Sequence, residues 1–267
     1  MAPLAEIGAI ITITIITEAI TIMPGERGRA SFPWLYRTLS WMSPAWPIGA
    51  FAFSSGLEWA HEAGWLRDGA AVQNWLEESL REGQLRADCG AFVHGWQAMS
   101  APDPGRTLAG LAEIVMAAQG SAERALEASA QGGAFKRIAL AANSEIHPDQ
   151  CAAYATALEN IADTELPYAI AASAFFAAFE IPLEPAITAF LHAAVSNLVS
   201  AAQRIVPLGH TEAQVLLVRL EPDIDRARSH ALATASLPIE ACLASGALAA
   251  DIAAMRHETQ YTRLFRT

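Results

Sequence analysis

The chain has 267 residues, of which 53% are hydrophobic and 17% charged, with a formal net charge of -11. This composition suffices for a large hydrophobic core and excludes a disordered chain. The acidic balance argues against nucleic acid as a partner, because phosphate binding needs a basic surface. The three cysteines are isolated and form no C-x-x-C pair, which predicts reduced thiols in a cytoplasmic protein.

The N-terminal segment at residues 7–23 contains eight isoleucines and four threonines around Glu18. It is short for a membrane span, carries a charge and lacks the basic region of a secretory signal. We expect residues 1–33 to be an N-terminal extension. Within it, residues 1–22 either come from a mis-assigned start codon, with Met23 as the true start, or form a genuine arm. The intact mass of the native protein would separate these two interpretations.

Helical periodicity begins at residue 69. Val72, Leu76 and Leu80 recur four residues apart, and Asp68 is placed to cap the first turn. Prolines and glycines then separate helical windows at intervals typical of a bundle, and no alternating strand pattern follows the N-terminal segment. The sequence therefore predicts an all-α protein in which residues 34–267 form a single compact multi-helix bundle domain of about eight to ten helices.

The longest predicted helix carries an apolar stripe from Ile187 to Ile205. It should end near Val206, because Pro207 disfavours a helical conformation in the residue before it. Thr211 and Gln214 then match a capping box, which predicts that the next helix starts at Thr211.

The sequence lacks the motifs of common enzyme classes. His61-Glu62 and His257-Glu258 are both without the second histidine of an H-E-x-x-H zinc site. The run Gly132-Gly-Ala-Phe-Lys136 has the wrong spacing for a phosphate-binding loop, and no G-x-S-x-G serine elbow occurs. We therefore expect no catalytic residues and no enzyme activity.

The segment Leu39–Glu58 combines four aromatic residues with several turn-forming ones. Pro44, Pro47, Gly49 and Gly56 predict a rigid turn rather than the interior of a helix. The segment is either the buried start of the helical core or a contact surface for a partner or for a dimer.

The segment Asp251–Thr267 places three arginines, a tyrosine and a phenylalanine at the end of an acidic chain. Chain termini usually tolerate change, whereas arginine and aromatic residues anchor partners at protein interfaces. The segment is either a final helix docked on its own core by Met255, Leu264 and Phe265 or a partner-binding tail.

Three segments together resemble a known family. The run Met255-Arg-His-Glu-Thr-Gln-Tyr-Thr-Arg-Leu-Phe-Arg266 is similar to the C-terminal signature of the urease accessory protein F family, UreF. Residues 39–58 resemble that family's N-terminal motif and residues 197–214 its central motif, in the same order. The similarity extends from Trp34 to Thr267. It implies a final segment, residues 251–267, that serves as a partner-binding tail.

The resemblance implies an all-helical, dimeric, cytoplasmic protein that is not an enzyme. Such a protein is a component of a nickel metallochaperone complex. It holds UreD, also called UreH, and the GTPase UreG on the urease apoprotein to promote nickel insertion and urease maturation. No cofactor would bind this chain stably, since nickel is handled by the complex and GTP is bound by UreG. No nucleic acid or membrane partner is implied.

The resemblance also assigns site residues. The tail residues assigned to partner binding are Met255, Arg256, His257, Glu258, Gln260, Tyr261, Arg263, Leu264, Phe265 and Arg266. A second partner-binding surface is assigned to Gln203, Arg204, Pro207, Gly209 and His210. The residues of the N-terminal motif assigned to the fold and to an interface are Ser43, Pro44, Pro47, Gly49, Phe51, Ser54, Gly56 and Glu58. No metal site is expected, although His257 is a weak candidate for a transient nickel contact.

Two other classes of function stay open on the sequence alone. A helical enzyme could use His257 and Glu258 as acid–base groups, which predicts turnover by the isolated protein. A membrane-surface protein could use the isoleucine-rich arm, which predicts that vesicle binding requires residues 1–22.

Overall fold

The structure is a computed structural model that describes residues 33–266. The predicted N-terminal extension up to residue 32, with its two interpretations, lies outside the described residues. Within them the chain forms α-helices and two 3-10 turns, and no strand. The prediction of an all-α, single-domain bundle is confirmed. The α-helices are α1 (Pro33–Trp41), α2 (Leu57–Glu62), α3 (Gly69–Glu82), α4 (Gln84–Ala98), α5 (Pro104–Ala117), α6 (Ala122–Asn143), α7 (Pro148–Ala157), α8 (Tyr168–Ala178), α9 (Leu183–Ile205), α10 (His210–Arg219), α11 (Glu221–Ala233), α12 (Ile239–Leu243) and α13 (Leu248–His257).

Ten of the helices in the described range are ten residues or longer, in agreement with the expected eight to ten. The shorter α1, α2 and α12 and the 3-10 turns at Ala50–Ala52 and Asp163–Glu165 account for the rest. Short elements of this length carry too few apolar residues for periodicity to reveal them.

Helices α4 and α8 form the centre of the bundle. Eight of the eleven residues of α8 are buried, and the helix packs against α4, α6 and α7. Trp41 from the end of α1 makes edge-on contacts with Phe175, Phe176 and Phe179 at the C-terminal end of α8, with ring centroids 4.6 to 5.5 Å apart. One continuous core therefore joins the first described helix to the middle of the chain.

Two of the predicted helix boundaries are confirmed. The side chain of Asp68 accepts a hydrogen bond from Ala71 N at 2.9 Å and caps α3. Helix α9 ends at Ile205, and Val206 is extended. By length and composition α9 could cross a membrane, but half of its most apolar stretch is buried inside the bundle.

The capping box predicted at Thr211 is wrong. Helix α10 begins at His210, its N-cap is Gly209, and no side chain caps it. The connection is tighter than expected, because Leu208 N donates to Val206 O at 2.7 Å and Leu208 itself is buried. The chain therefore enters the helix before Thr211, which lies in the first turn.

The glycine pair in α6 serves helix packing. Gly132 packs directly against the backbone of residues 166–167. A Cβ added at Gly132 would come within 1.9 Å of Leu166 O. A backbone atom cannot move aside as a flexible side chain can, so this contact requires glycine.

We predict that Gly132→Ala lowers the free energy of unfolding by about 1–3 kcal/mol, the usual cost of overpacking a core. The matched control is Gly110→Ala, because Gly110 lies on the exposed face of α5 with no atom near its Cβ position. Alanine at position 110 should raise the free energy of unfolding by about 0.5–1 kcal/mol, because alanine has a higher helix propensity than glycine. Urea denaturation measures the free energy of unfolding of both variants. Equal changes in the two would contradict the role of Gly132 in helix packing.

Candidate functional site

The C-terminal segment folds back over the N-terminal motif. Helix α13 packs against α2 and α6 and ends at His257, after which residues 258–266 form turns rather than helix. Phe265 is 3% exposed, and Arg266 N donates to Ala52 O at 2.8 Å. The last described residues are thus tied to the 3-10 turn at Ala50–Ala52.

His257 is fully buried between two carboxylates. Its Nδ1 lies 2.6 Å from Glu123 Oε2, and its Nε2 lies 3.1 Å from Glu58 Oε2. An ionised carboxylate only accepts hydrogen bonds, so both ring nitrogens are positioned to donate. The ring is therefore held from both sides by carboxylate oxygens.

The two carboxylates also hold the residues that follow His257. Glu58 accepts hydrogen bonds from Leu264 N at 2.6 Å and from Phe265 N at 2.9 Å. Glu123 accepts one from Arg263 Nη1 at 2.8 Å. His257 thus contacts both carboxylates, and Arg263 contacts Glu123. We call the cluster of Glu58, Glu123, His257 and Arg263 the tail clasp.

The central motif joins the same region through Arg204. Its guanidinium lies over the ring of Phe265, 4.1 Å from the ring centroid, and its Nη1 donates to Phe51 O at 2.6 Å. Asn197, one end of the motif, donates from Nδ2 to Ala50 O at 3.0 Å. The three motifs, at residues 39–58, 197–214 and 255–266, thus meet in one place.

The N-terminal motif forms a succession of turns, as the prolines and glycines predict. Gly49 and Gly56 both have positive φ angles, of 76° and 85°. At Gly56 an added Cβ would lie 2.9 Å from Ala254 N, so glycine also permits the close approach of α13. Ser54 is fully buried, and its Oγ accepts from Glu58 N at 3.4 Å at the start of α2.

The structure divides the predicted site residues into inward-facing and outward-facing groups. The buried ones are Ser54, Gly56, Glu58, His257 and Phe265. Ser43, Gly49, Gln203 and Gln260 are partly buried. The exposed ones are Pro44, Pro47, Phe51, Arg204, Pro207, Gly209, His210, Met255, Arg256, Glu258, Tyr261, Arg263, Leu264 and Arg266.

Two of the alternatives left open for the tail need correction. Of the three residues that would dock a final helix on the core, only Phe265 is buried, while Met255 and Leu264 are about half exposed. The buried ion cluster supplies the rest of the docking. His257 and Glu258 also do not form an acid–base pair, because Glu258 is exposed and accepts from Ala122 N at 2.8 Å instead.

The tail clasp includes one residue that sequence reasoning missed. Glu123 lies in the first turn of α6, two residues after the N-cap Ser121, where an acidic residue is favourable in any helix. Only its burial distinguishes it from an ordinary first-turn glutamate. Among residues 33–266 no group of three or more His, Cys, Asp or Glu side chains is arranged to hold a metal ion.

A cavity of about 500 Å³ lies beside the N-terminal motif, between α3, α4, α6 and α9. Its lining includes Trp46, Trp75, Tyr168, Phe190, Asp88 and Asn197. Burial raises the pKa of Asp88 from 3.8 to about 6. The nearby charge of Arg124 and the hydrogen bond from Gln84 lower this pKa, and the charge of Glu127 raises it further. The neighbouring thiol of Cys89 is buried too, and its pKa rises to about 12, which makes it an unreactive core residue.

We predict that Asp88 makes the fold less stable as the pH rises from about 4 to about 6.5. The folded state holds its proton more tightly than the unfolded state, so ionisation across this range costs about 3 kcal/mol at 1.36 kcal/mol per pKa unit. Asp88→Asn cannot ionise, so its stability relative to the natural chain should increase across the same range. Urea denaturation at several pH values measures the difference, with exposed Asp149→Asn as the control. A difference that does not change with pH would contradict the prediction.

Comparisons with known proteins identify the family. The UreF family model matches residues 66–221. The chain is 42% identical over 248 residues to the urease accessory protein UreF of Bradyrhizobium sp. (strain ORS 278), covering 92% of this chain and 97% of that protein. It is 43% identical to the UreF of Rhodopseudomonas palustris (strain BisA53), covering 91% and 98% of the two chains. The chain therefore belongs to the UreF family of urease accessory proteins.

Proposed function

We propose that this chain is the scaffold of a nickel metallochaperone complex, and that its tail carries a surface for UreD (UreH). In this proposal the chain also recruits the GTPase UreG to the urease apoprotein and so promotes nickel insertion. Nickel is handled by the complex and GTP is bound by UreG, with no cofactor bound stably by this chain. The protein acts in the cytoplasm as a homodimer and has no catalytic step of its own. Its relatives are named as accessory proteins, which agrees with a role in assisting another protein.

The main support for the proposal is that buried contacts hold the tail on the bundle while large side chains are exposed on its outer face. Tyr261 is fully exposed and Leu264 is 56% exposed, although Arg263 and Phe265 on either side of Leu264 are held by the tail clasp. Both side chains therefore leave much apolar surface in contact with solvent. Tyrosine is among the residue types that contribute most binding energy at protein interfaces.

A shallow groove continues this exposed face. It is lined by Trp59, Trp65, Ile252, Arg256 and Tyr261, and the two indole rings pack edge to face with centroids 5.1 Å apart. Aromatic and arginine side chains around a groove form the usual centre of a protein interface. Because the tail is already docked, a partner would not have to supply the free energy of ordering it.

We predict that Tyr261→Ala combined with Leu264→Ala weakens capture of UreD by at least about tenfold, since two interface anchors each contribute about 1 kcal/mol or more. The full-length chain is co-expressed with the UreD and UreG of the same organism, and the complex is captured on the tagged chain. The control is Tyr36→Ala, because Tyr36 is an equally large exposed tyrosine on α1. Thermal unfolding should be unchanged in both variants.

Equal capture of UreD by the tail variant and the control would place the UreD surface elsewhere. Point variants are preferable to truncation after Ala254. Truncation removes His257 and Arg263 and leaves the buried carboxylates of Glu58 and Glu123 without these partners, so it would disrupt the site as well as remove the surface.

A further inference from the structure

The cavity between α3, α4, α6 and α9 is large for the interior of a protein. Its volume is about 500 Å³, within the range of about 300–1,000 Å³ that is usual for small-molecule sites. Close-packed interiors contain few voids larger than a water molecule, because the atoms that line a void lose van der Waals contacts. Pro44, Pro47 and Phe51 line the cavity and are exposed, so a ligand can enter from the surface at the N-terminal motif.

The walls of the cavity are rich in aromatic side chains. Trp46 and Trp75 contribute indole rings, and Tyr168 and Phe190 contribute six-membered rings whose centroids lie 5.3 Å apart. The face of an aromatic ring carries partial negative charge and attracts organic cations, and it also packs well against apolar groups. Such walls favour a ligand that has an apolar body and a positive charge.

The charged groups of the lining are unequal in number. Within the described part of the chain the lining includes three carboxyl groups, those of Asp88, Glu127 and Asp251, and one guanidinium, that of Arg124. The guanidinium is engaged by Glu127, since Nη1 lies 3.0 Å from Oε2 of this glutamate. An excess of acidic groups around a cavity favours a cation over an anion.

Asp88 is the lining carboxyl group with an open position for a ligand. Its Oδ1 accepts from Gln84 Nε2 at 2.7 Å, whereas its Oδ2 accepts no hydrogen bond from residues 33–266 and lies 3.9 Å from Arg124 Nη2. The side chain is 25% exposed, although burial raises the pKa of its carboxyl group to about 6. The exposed part of the side chain therefore faces the cavity, where a charged donor can complete the hydrogen bonding of Oδ2.

We propose that this cavity binds a small organic ammonium ion with an apolar body. The ammonium group donates a hydrogen bond to Asp88 Oδ2, and the apolar body covers the aromatic walls. A metal ion fits less well, because no group of three or more His, Cys, Asp or Glu side chains within residues 33–266 is arranged to hold one. The cavity shares no lining residue with the exposed groove beside Tyr261, so this site does not depend on the proposed UreD surface.

Titration of the full-length chain with benzylammonium chloride, followed by ¹H–¹⁵N NMR, tests the site. The experiment is done at about pH 7.5, where a carboxyl group with a pKa of about 6 is ionised. The indole N–H signals of Trp46 and Trp75 should shift saturably, with a dissociation constant of about 1 mM or lower for a ligand of this size. The signals of Trp59 and Trp65, which line the exposed groove, should not shift.

Two comparisons test whether the positive charge is recognised. Benzyl alcohol has a similar shape without the charge, and it should bind the natural chain at least about tenfold more weakly. Asp88→Asn removes the negative charge with little change in shape, and it should weaken benzylammonium binding at least about tenfold. Asp149→Asn, at an exposed position on α7, is the matched control and should leave binding unchanged. Thermal unfolding of both variants shows whether the fold is kept.

Three results would overturn the site. The absence of a saturable shift at Trp46 and Trp75 up to about 10 mM, tenfold above the expected dissociation constant, would show that the cavity holds only water. Equal binding of benzyl alcohol, or unchanged binding by Asp88→Asn, would show an apolar cavity that does not select for charge. Shifts confined to Trp59 and Trp65 would place the binding in the exposed groove instead.

Discussion

The buried ion cluster at the tail clasp is the constraint on which the C-terminal region of this structure depends. It joins side chains as many as 199 positions apart in the sequence, Glu58 and His257, and His257 is fully buried there. Charges in such a place must be matched, since removing one partner of a buried pair costs about 3–5 kcal/mol. Glu58, Glu123, His257 and Arg263 come together only when α2, α6, α13 and the tail are all in position.

The clasp also provides hydrogen-bond partners for the backbone amides of the tail. Residues 258–266 form no helix or strand, so their amide groups need other partners. Glu58 accepts from two of them, and Ala52 O accepts from a third. Because other groups of the protein accept these hydrogen bonds, the tail can keep one backbone conformation while it exposes large side chains such as Tyr261. A rigid exposed surface is what the proposed scaffold function requires.

The sequence predicted the architecture better than the site. Strong periodicity in α9 and the cap at Asp68 identified long helices, because those signals are local. The three motifs were found individually, but nothing local shows that Arg204 meets Phe265. In the tail, helical spacing stops at His257, so no period indicates that Phe265 points inward while Leu264 points outward. Glu123 was missed because a glutamate in the first turn of a helix is common whether it is buried or exposed.

A double-mutant cycle between Glu58 and His257 tests the central role of the clasp most directly. The free energy of unfolding is measured near neutral pH for Glu58→Gln, His257→Gln and the double variant. We expect a coupling of about 1.5 kcal/mol or more, as for residues in one buried network. A second cycle pairs Glu58→Gln with Glu113→Gln on the exposed face of α5, where the effects should add. Additive effects for Glu58 and His257 would contradict the account, because they would show that the two residues stabilise the fold independently.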